Sequence, residues 1–288
     1  MHPTLTLPFV DVTLRTSALF IQLGVLFGII VAPIWAGALE GLDRTRVRWA
    51  FFVLAILALA GARIHAILNY GLVVFANDPL RALKLWTGAF HIGGGILALF
   101  LAAPWVTRAF GLPLGRFADG IVPTIGVALA IIRIGCFMQG CCFGDPCTYP
   151  WCISYPPGSD VYLSHERLGL IATGALHSQP VHPLHLYFAA AGLLVTVVAL
   201  LVHQRKRYDG EPALVGLLVY AINLSVLEFW RTNDGIRIYW GPLPQLAWTA
   251  FAIVTMALTA LVVAEVRYLR QQRQSGRTMA PGLSAVEG

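Results

Sequence analysis

One stretch carries most of the groups able to do chemistry: Arg133-Ile-Gly-Cys-Phe-Met-Gln-Gly-Cys-Cys-Phe-Gly144. Arg133 follows an apolar run and precedes Ile134 and Gly135. An arginine at membrane depth costs at least about 2.5 kcal/mol, so it is kept where it meets a polar cavity or a partner. Its planar fork suits a phosphate, which it can grip with two parallel hydrogen bonds. Gly135, Gly140 and Gly144 allow a ligand or another helix to come close to the backbone. Gln139 and the thiols of Cys136, Cys141 and Cys142 stand where this run ends. Arg63 also lies inside an apolar run; it either meets a polar partner or snorkels to the interface.

Two further motifs are polar ends of apolar runs. His182-Pro-Leu-His-Leu-Tyr187 opens one run, with Pro183 suited to a first helical turn. His182 and Tyr187 are expected near an interface, where Tyr187 is either an anchor or a site residue. Glu228-Phe-Trp-Arg231 closes another, and its two charges share a helix face at a spacing that predicts an ion pair. The five cysteines at 136, 141, 142, 147 and 152 contain no Cys-x-x-Cys pair, so no metal site is expected. A disulfide involving Cys147 or Cys152 is the better reading, and the odd count leaves a thiol or an intermolecular bond. Cys136, the deepest, reads as a small buried hydrophobe.

The elements that position these groups are membrane helices. Of 288 residues, 57% are hydrophobic and only 12% charged. That is half the roughly 25% charge of a soluble domain, too little to cover a water-soluble surface. The net charge of +6 does not imply nucleic acid, because the basic residues form short clusters between apolar runs. The runs fall at Ala18–Leu39, Trp49–Leu68, Ile92–Val106, Ile121–Met138, Leu184–Val202, Leu214–Trp230 and Leu243–Val266. Each is near the roughly 20 residues that span a bilayer, so the chain is predicted to be all-α and polytopic, with about seven transmembrane helices. The first run is long and no small-residue cleavage site follows it, so it is expected to stay as a helix.

Twelve Lys and Arg lie in the odd loops and the C-terminal tail: Arg44, Arg46, Arg48, Arg108, Arg116, Arg205, Lys206, Arg207, Arg267, Arg270, Arg273 and Arg277. Six lie on the other side: Arg15, Arg81, Lys84, Arg167, Arg231 and Arg237. The imbalance predicts the N-terminus outside and the C-terminus in the cytoplasm. Trp86, Trp105, Trp151, Trp230, Trp240 and Trp248 stand near run ends, where an interfacial belt places them. The organisation expected is a membrane domain over 1–270, a Cys-rich external loop at 139–181, and a disordered cytoplasmic tail at 271–288.

An ordered series of motifs now becomes specific. Gly61-Ala-Arg-Ile64, Asp78-Pro-Leu80, Trp86-Thr-Gly…Gly93-Gly94, Asp119-Gly-Ile-Val-Pro123, Arg133-Ile-Gly…Gly140…Gly144, His182-Pro…Leu-Tyr187 and Glu228-Phe-Trp-Arg231 occur in that order. The series resembles the prolipoprotein diacylglyceryl transferase family over roughly Arg63 to Arg231. The resemblance implies a monomeric bacterial inner-membrane enzyme that needs no cofactor. It would move a diacylglyceryl group from phosphatidylglycerol to the lipobox cysteine thiol of a prolipoprotein, releasing glycerol phosphate. Arg133, with Arg63 or Arg231, would hold the headgroup; Gly135, Gly140, Gly144, Tyr187, Tyr220 and Glu228 would line the site. His91 or His182 would take the thiol proton.

The chain departs from the family pattern at defined places. Ile132, Cys136, Gln139 and Cys141 stand where Gly, Asn, Asn and Glu are usual. Ile92 holds the place of a His, and His91 comes one residue early. His185 replaces Gln, Phe188 replaces Glu, Leu224 replaces Arg, and Ile21 falls nearest a family Tyr; Tyr220 matches. These departures keep open a family fold with a different acceptor or activity. A membrane thiol–disulfide protein is disfavoured by the missing Cys-x-x-Cys, and a transporter by the lack of paired broken helices.

Overall fold

Helix ends in this chain are set by residues that cannot continue a helix. The computed structural model describes residues 4–7, 12–70, 91–231 and 239–279. A short antiparallel pair, β1 (Thr4–Leu7) and β2 (Val12–Arg15), leads into α1 (Thr16–Glu40), which stops at Gly41 in the left-handed region. Then come α2 (Arg44–Tyr70), α3 (Ile92–Ala109) and α4 (Leu114–Gln139). Pro113 opens α4, and Gly140 at φ 77° closes it. The segment between α4 and the next long helix, residues 140–183, carries α5 (Asp160–Arg167), capped by Ser159, whose hydroxyl accepts from the Tyr162 N–H. α6 (Leu184–His203) begins after Pro183, and α7 (Glu211–Glu228) has Pro212 in its first turn. A second small pair, β3 (Tyr239–Trp240) and β4 (Leu243–Pro244), precedes α8 (Gln245–Met279).

Each apolar run forms a helix. Among the described residues six are long and apolar enough to cross a membrane, and the run at Ile92 gives a shorter apolar helix over Gly93–Ala109. The count of about seven is thus six long helices and one short one, in a multi-pass membrane protein. Leu243 and Pro244 belong to β4 rather than to the last helix, which starts at Gln245. At its far end α8 continues to Met279, so the beginning of the segment expected to be a disordered tail is helical. Trp105, Trp151, Trp230 and Trp248 are exposed. Trp86, Asp78, Arg81 and Lys84 lie outside the described residues.

Burial separates centre from periphery. Within the apolar windows 44% of residues are buried in α4, α6 and α7, against 17–22% in α1, α2 and α8. α4 is therefore a central helix, packed mainly on α1 and α6. Small residues make this possible: a Cβ on Gly126 would stand 2.3 Å from Thr196 Oγ1 and 2.4 Å from the Gly192 carbonyl. Thr196 Oγ1 in turn donates to the Pro123 carbonyl at 2.9 Å.

At the Leu114 end of α4 the bundle is locked by charge. Lys206, between α6 and α7, reaches Glu40 at 2.7 Å, Asp119 at 3.0 Å and Asp209 at 3.0 Å. Asp119, 1% exposed, also accepts from the backbone N–H groups of Gly210 and Ala213. Arg116 pairs with Glu40 at 3.4 Å. Burial pushes the Lys206 pKa down, but Glu40, Asp209 and Asp119 outweigh it and leave the ammonium held above its ordinary value.

Candidate active site

The opposite end of α4 is built from a helix stop and the turn after it. Gly140 halts the helix, and the Cys136 carbonyl accepts from both Gly140 N (2.9 Å) and Cys141 N (3.2 Å). Gln139 is buried at this stop. Its Oε1 accepts from the Ser17 N–H at 3.1 Å and from the Ser17 hydroxyl, and its Nε2 donates to Asp160 Oδ2 at 2.9 Å. One side chain thereby fastens the start of α1 and α5 to the end of α4.

Arg133 lies about two turns before this stop, roughly 10 Å along the axis. Its guanidinium carbon sits over the Phe188 ring of α6, 4.3 Å from the centroid. Tyr220 of α7, Cys142 and Cys136 are within electrostatic reach of it. The buried Tyr220 hydroxyl approaches without hydrogen-bond geometry and has no partner. His185, fully buried and one turn before Phe188, points Nε2 at the Cys141 carbonyl in a short contact. A carbonyl only accepts, so Nε2 carries the proton and Nδ1 presents its lone pair; Nδ1 is buried without a partner.

The second arginine enters from the far side. Arg231 follows α7, pairs as a β-bridge with Gly144, and its guanidinium stands 3.7 Å from Glu228, which is 1% exposed. The ion pair expected from the three-residue spacing is therefore present. Arg231 acts on Cys142 and His185, as Arg133 does, so the two guanidiniums face one region. It also reaches His91, which opens α3 with its ring 4.2 Å from that of His65. His91 Nδ1 is buried without a partner, and burial first, then His65 and Arg231, hold its pKa below the ordinary value.

The remaining expected residues fall nearby or aside. His182 Nδ1 is 3.4 Å from the Tyr187 hydroxyl, and its ring lies 5.9 Å from that of Tyr149 in the 140–183 segment. Arg63 is buried on α2, 5% exposed, so it does not snorkel. α2 packs mainly on α3 and α1, away from the α4–α6 contact beside Arg133. The three glycines meet protein. A Cβ would strike Phe20 at Gly135, the Tyr155 ring at Gly140, and His182 and the Trp230 carbonyl at Gly144. Leu224, where the family pattern has Arg, is 1% exposed in an apolar cluster with Leu184, Phe188, Leu227 and Ala250.

The 140–183 segment is ordered around Phe143, Tyr155, Val161 and Val181 and is stitched by a Cys147–Cys152 disulfide. Cys136, Cys141 and Cys142 remain thiols, and their sulfur atoms lie within 4.8 Å of one another. Hydrogen bonds from Cys136 and Cys141, then Arg231 and Arg133, outweigh burial and hold the Cys142 thiol well below its ordinary pKa. The sequence reading did not foresee this convergence, nor the roles of His185 and Phe188. The signal was there: Cys136 and Cys141 depart from one family motif, His185 and Phe188 from another, and His185 meets the Cys141 carbonyl while Phe188 lies against Arg133.

The fold and this site define a multi-pass membrane protein that sets an arginine among thiols, imidazoles and aromatic rings at one end of its bundle. The chain belongs to the prolipoprotein diacylglyceryl transferase family, whose sequence profile matches residues 5–263. It is 26% identical over 241 residues to the phosphatidylglycerol–prolipoprotein diacylglyceryl transferase of Pseudomonas fluorescens (strain SBW25), covering 81% of this chain and 80% of that protein. The protein of the same name from Geobacter sulfurreducens is 28% identical over 218 residues, 75% of this chain and 77% of its own. That of Stenotrophomonas maltophilia (strain R551-3) is 28% identical over 234 residues, 77% and 79%.

Proposed function

We propose that this chain transfers the diacylglyceryl group of phosphatidylglycerol to the thiol of a lipobox cysteine in a prolipoprotein signal peptide. The observation that carries the reading is Arg133, a guanidinium set inside a membrane bundle, braced on Phe188 and facing the same region as Arg231. Two guanidiniums at one region suit a phosphodiester, whose charge concentrates on the leaving phosphate as the reaction proceeds. The acceptor sulfur attacks the glyceryl carbon, the bond from that carbon to the phosphate oxygen breaks, and glycerol phosphate leaves with the charge. Arg133 and Arg231 stabilise that charge. The thiol proton goes to His91, whose unpartnered Nδ1 is kept neutral by the cause already given. His182, hydrogen-bonded toward Tyr187, orients the approach from the external segment.

In this reading the Arg133 end opens to the non-cytoplasmic face of a bacterial inner membrane, with the N-terminus outside and the C-terminus in the cytoplasm. The distribution of Lys and Arg supports it. The chain acts as a monomer. A second reading, a family member with another acceptor, is favoured by one observation. The place of a family Arg is filled by Leu224, closed over by apolar neighbours.

The test uses purified protein in detergent with phosphatidylglycerol and a lipobox peptide. Wild type should yield thioether-linked peptide and glycerol phosphate. Arg133→Ala should lower the rate by about 10²–10³, the cost of losing a charge-assisted contact to a developing anion. Arg133→Lys keeps the charge but not the fork and should not restore the rate. A stable Arg133→Ala protein with wild-type transfer contradicts the role. Wild type that binds phosphatidylglycerol without transferring from it brings the second reading forward.

A further inference from the structure

Cys141 and Cys142 are neighbours in sequence, and backbone geometry brings both to Cys136. Gly140 ends α4 in the left-handed region, and Cys142 is itself left-handed at φ 57°, alone among the described non-glycine residues. A left-handed non-glycine residue costs roughly 1–2 kcal/mol. The reversal brings the Cys141 and Cys142 sulfurs back to Cys136, so that all three lie within 4.8 Å of one another. Sulfur–metal bonds of about 2.3 Å in a trigonal plane place sulfurs about 4 Å apart, so the donor set needs only a small contraction to close.

We propose that Cys136, Cys141 and Cys142 form a three-thiolate site for a soft metal ion, and that cuprous copper is the ion it fits. Thiolates select such ions over hard cations. Among the described residues no fourth His, Cys, Asp or Glu joins the group, which fits a three-coordinate ion better than tetrahedral zinc. Charge agrees: three thiolates around one monovalent cation leave two negative charges, and Arg133 and Arg231 both act on Cys142. Binding releases to solvent whatever protons the three sulfurs still carry and changes no oxidation state. Cys141 and Cys142 are partly exposed, which gives the ion a way in. A disulfide does not account for the arrangement, since it pairs two sulfurs and strands the third. The other group of this kind among the described residues, Cys147 and Cys152 beside His182, is already consumed by a disulfide. The site adjoins the proposed transfer site and shares Arg133 and Arg231 with it, but its test reads metal uptake and not transfer.

The experiment is anaerobic titration of the full chain in detergent with cuprous ion buffered by bathocuproine disulfonate, under ascorbate. One ion per chain should be taken up. Cys136→Ser, Cys141→Ser and Cys142→Ser should each weaken binding by more than about tenfold, a loss seen even for outer partners of metal ligands. The Cys147→Ser/Cys152→Ser double variant should bind as wild type does. X-ray absorption of the loaded wild type, which needs no variant to fold, should show copper with three sulfur neighbours. Any of four results overturns the site: no uptake by the wild type, equal uptake by the triple serine variant, nitrogen or oxygen neighbours in place of sulfur, or a disulfide among the three cysteines in purified protein.

Discussion

The two ends of α4 spend buried polar groups differently. At the Leu114 end, Glu40 and Asp119 are met by Lys206, Arg116 and two backbone N–H groups. At the Gln139 end, His91 Nδ1, His185 Nδ1 and the Tyr220 hydroxyl are buried with no hydrogen-bond partner. Each such atom costs roughly 1–3 kcal/mol relative to a satisfied one. At the Leu114 end His203 Nδ1 also lacks a hydrogen bond, 3.4 Å from Glu40, but the carboxylates there are met; the first end is organised around paired charge, and the second leaves polar atoms free for a ligand. The contrast extends to the family pattern: Asp119 belongs to a motif the chain keeps, while Cys136, Cys141, His185 and Phe188 cluster where it departs.

The largest effect on stability should come from breaking the satisfied end. Lys206→Met strands buried carboxylates and should cost about 3–5 kcal/mol, read as a lowered thermal midpoint in detergent. Activity per folded molecule should be unchanged; an unshifted midpoint would mean that this network does not lock the bundle. A smaller loss is expected from removing the Cys147–Cys152 disulfide, whose partners are five residues apart. The chain-entropy cost of so short a loop is about 2 kcal/mol. The loosening should be confined to the external segment and visible as faster proteolysis there, with the helices unaffected.

The smallest effect is one of pH. His165 is buried, and its Nδ1 accepts the Gln179 N–H at 3.2 Å. Burial holds its pKa below the ordinary value of about 6.5. A histidine with a depressed folded pKa contributes fully above the unfolded value, and that contribution is lost as pH falls below it. Protection of the amides near Gln179, taken relative to the intrinsic exchange rate at each pH, should fall on acidification, by on the order of 1 kcal/mol for the lost hydrogen bond. His165→Phe should remove this dependence, and protection that falls equally in that variant would point to another group.

Much of this architecture was legible in the residues. Apolar runs foretold the helices because membrane spans are selected by length and hydropathy alone. The Glu228–Arg231 pair followed from helix periodicity, and a disulfide in the Cys-rich loop from cysteines gathered there, though not its Cys147–Cys152 pairing. The three-thiol cluster was not legible, because spacing templates assume one continuous element. Here two left-handed residues, Gly140 and Cys142, fold the chain back on itself. Phe188 and His185 read as losses against the family pattern, and only tertiary packing revealed that one braces Arg133 and the other holds the Cys141 carbonyl. The glycines at 135, 140 and 144 pointed to close approach, but their neighbours are packed side chains and backbone. The reach of α8 to Met279 was missed because a polar helix leaving a membrane carries no apolar signal.

The central claim, that the unsatisfied end holds an anionic lipid headgroup, is tested most directly by native mass spectrometry of protein equilibrated with phosphatidylglycerol and phosphatidylethanolamine. Wild type and Lys206→Met should retain phosphatidylglycerol in preference, since the locked end plays no part in binding. Arg133→Ala should lose that preference while remaining folded. If Arg133→Ala retains phosphatidylglycerol as wild type does, or Lys206→Met is the variant that releases it, the headgroup is not held at the Arg133 end and the account fails.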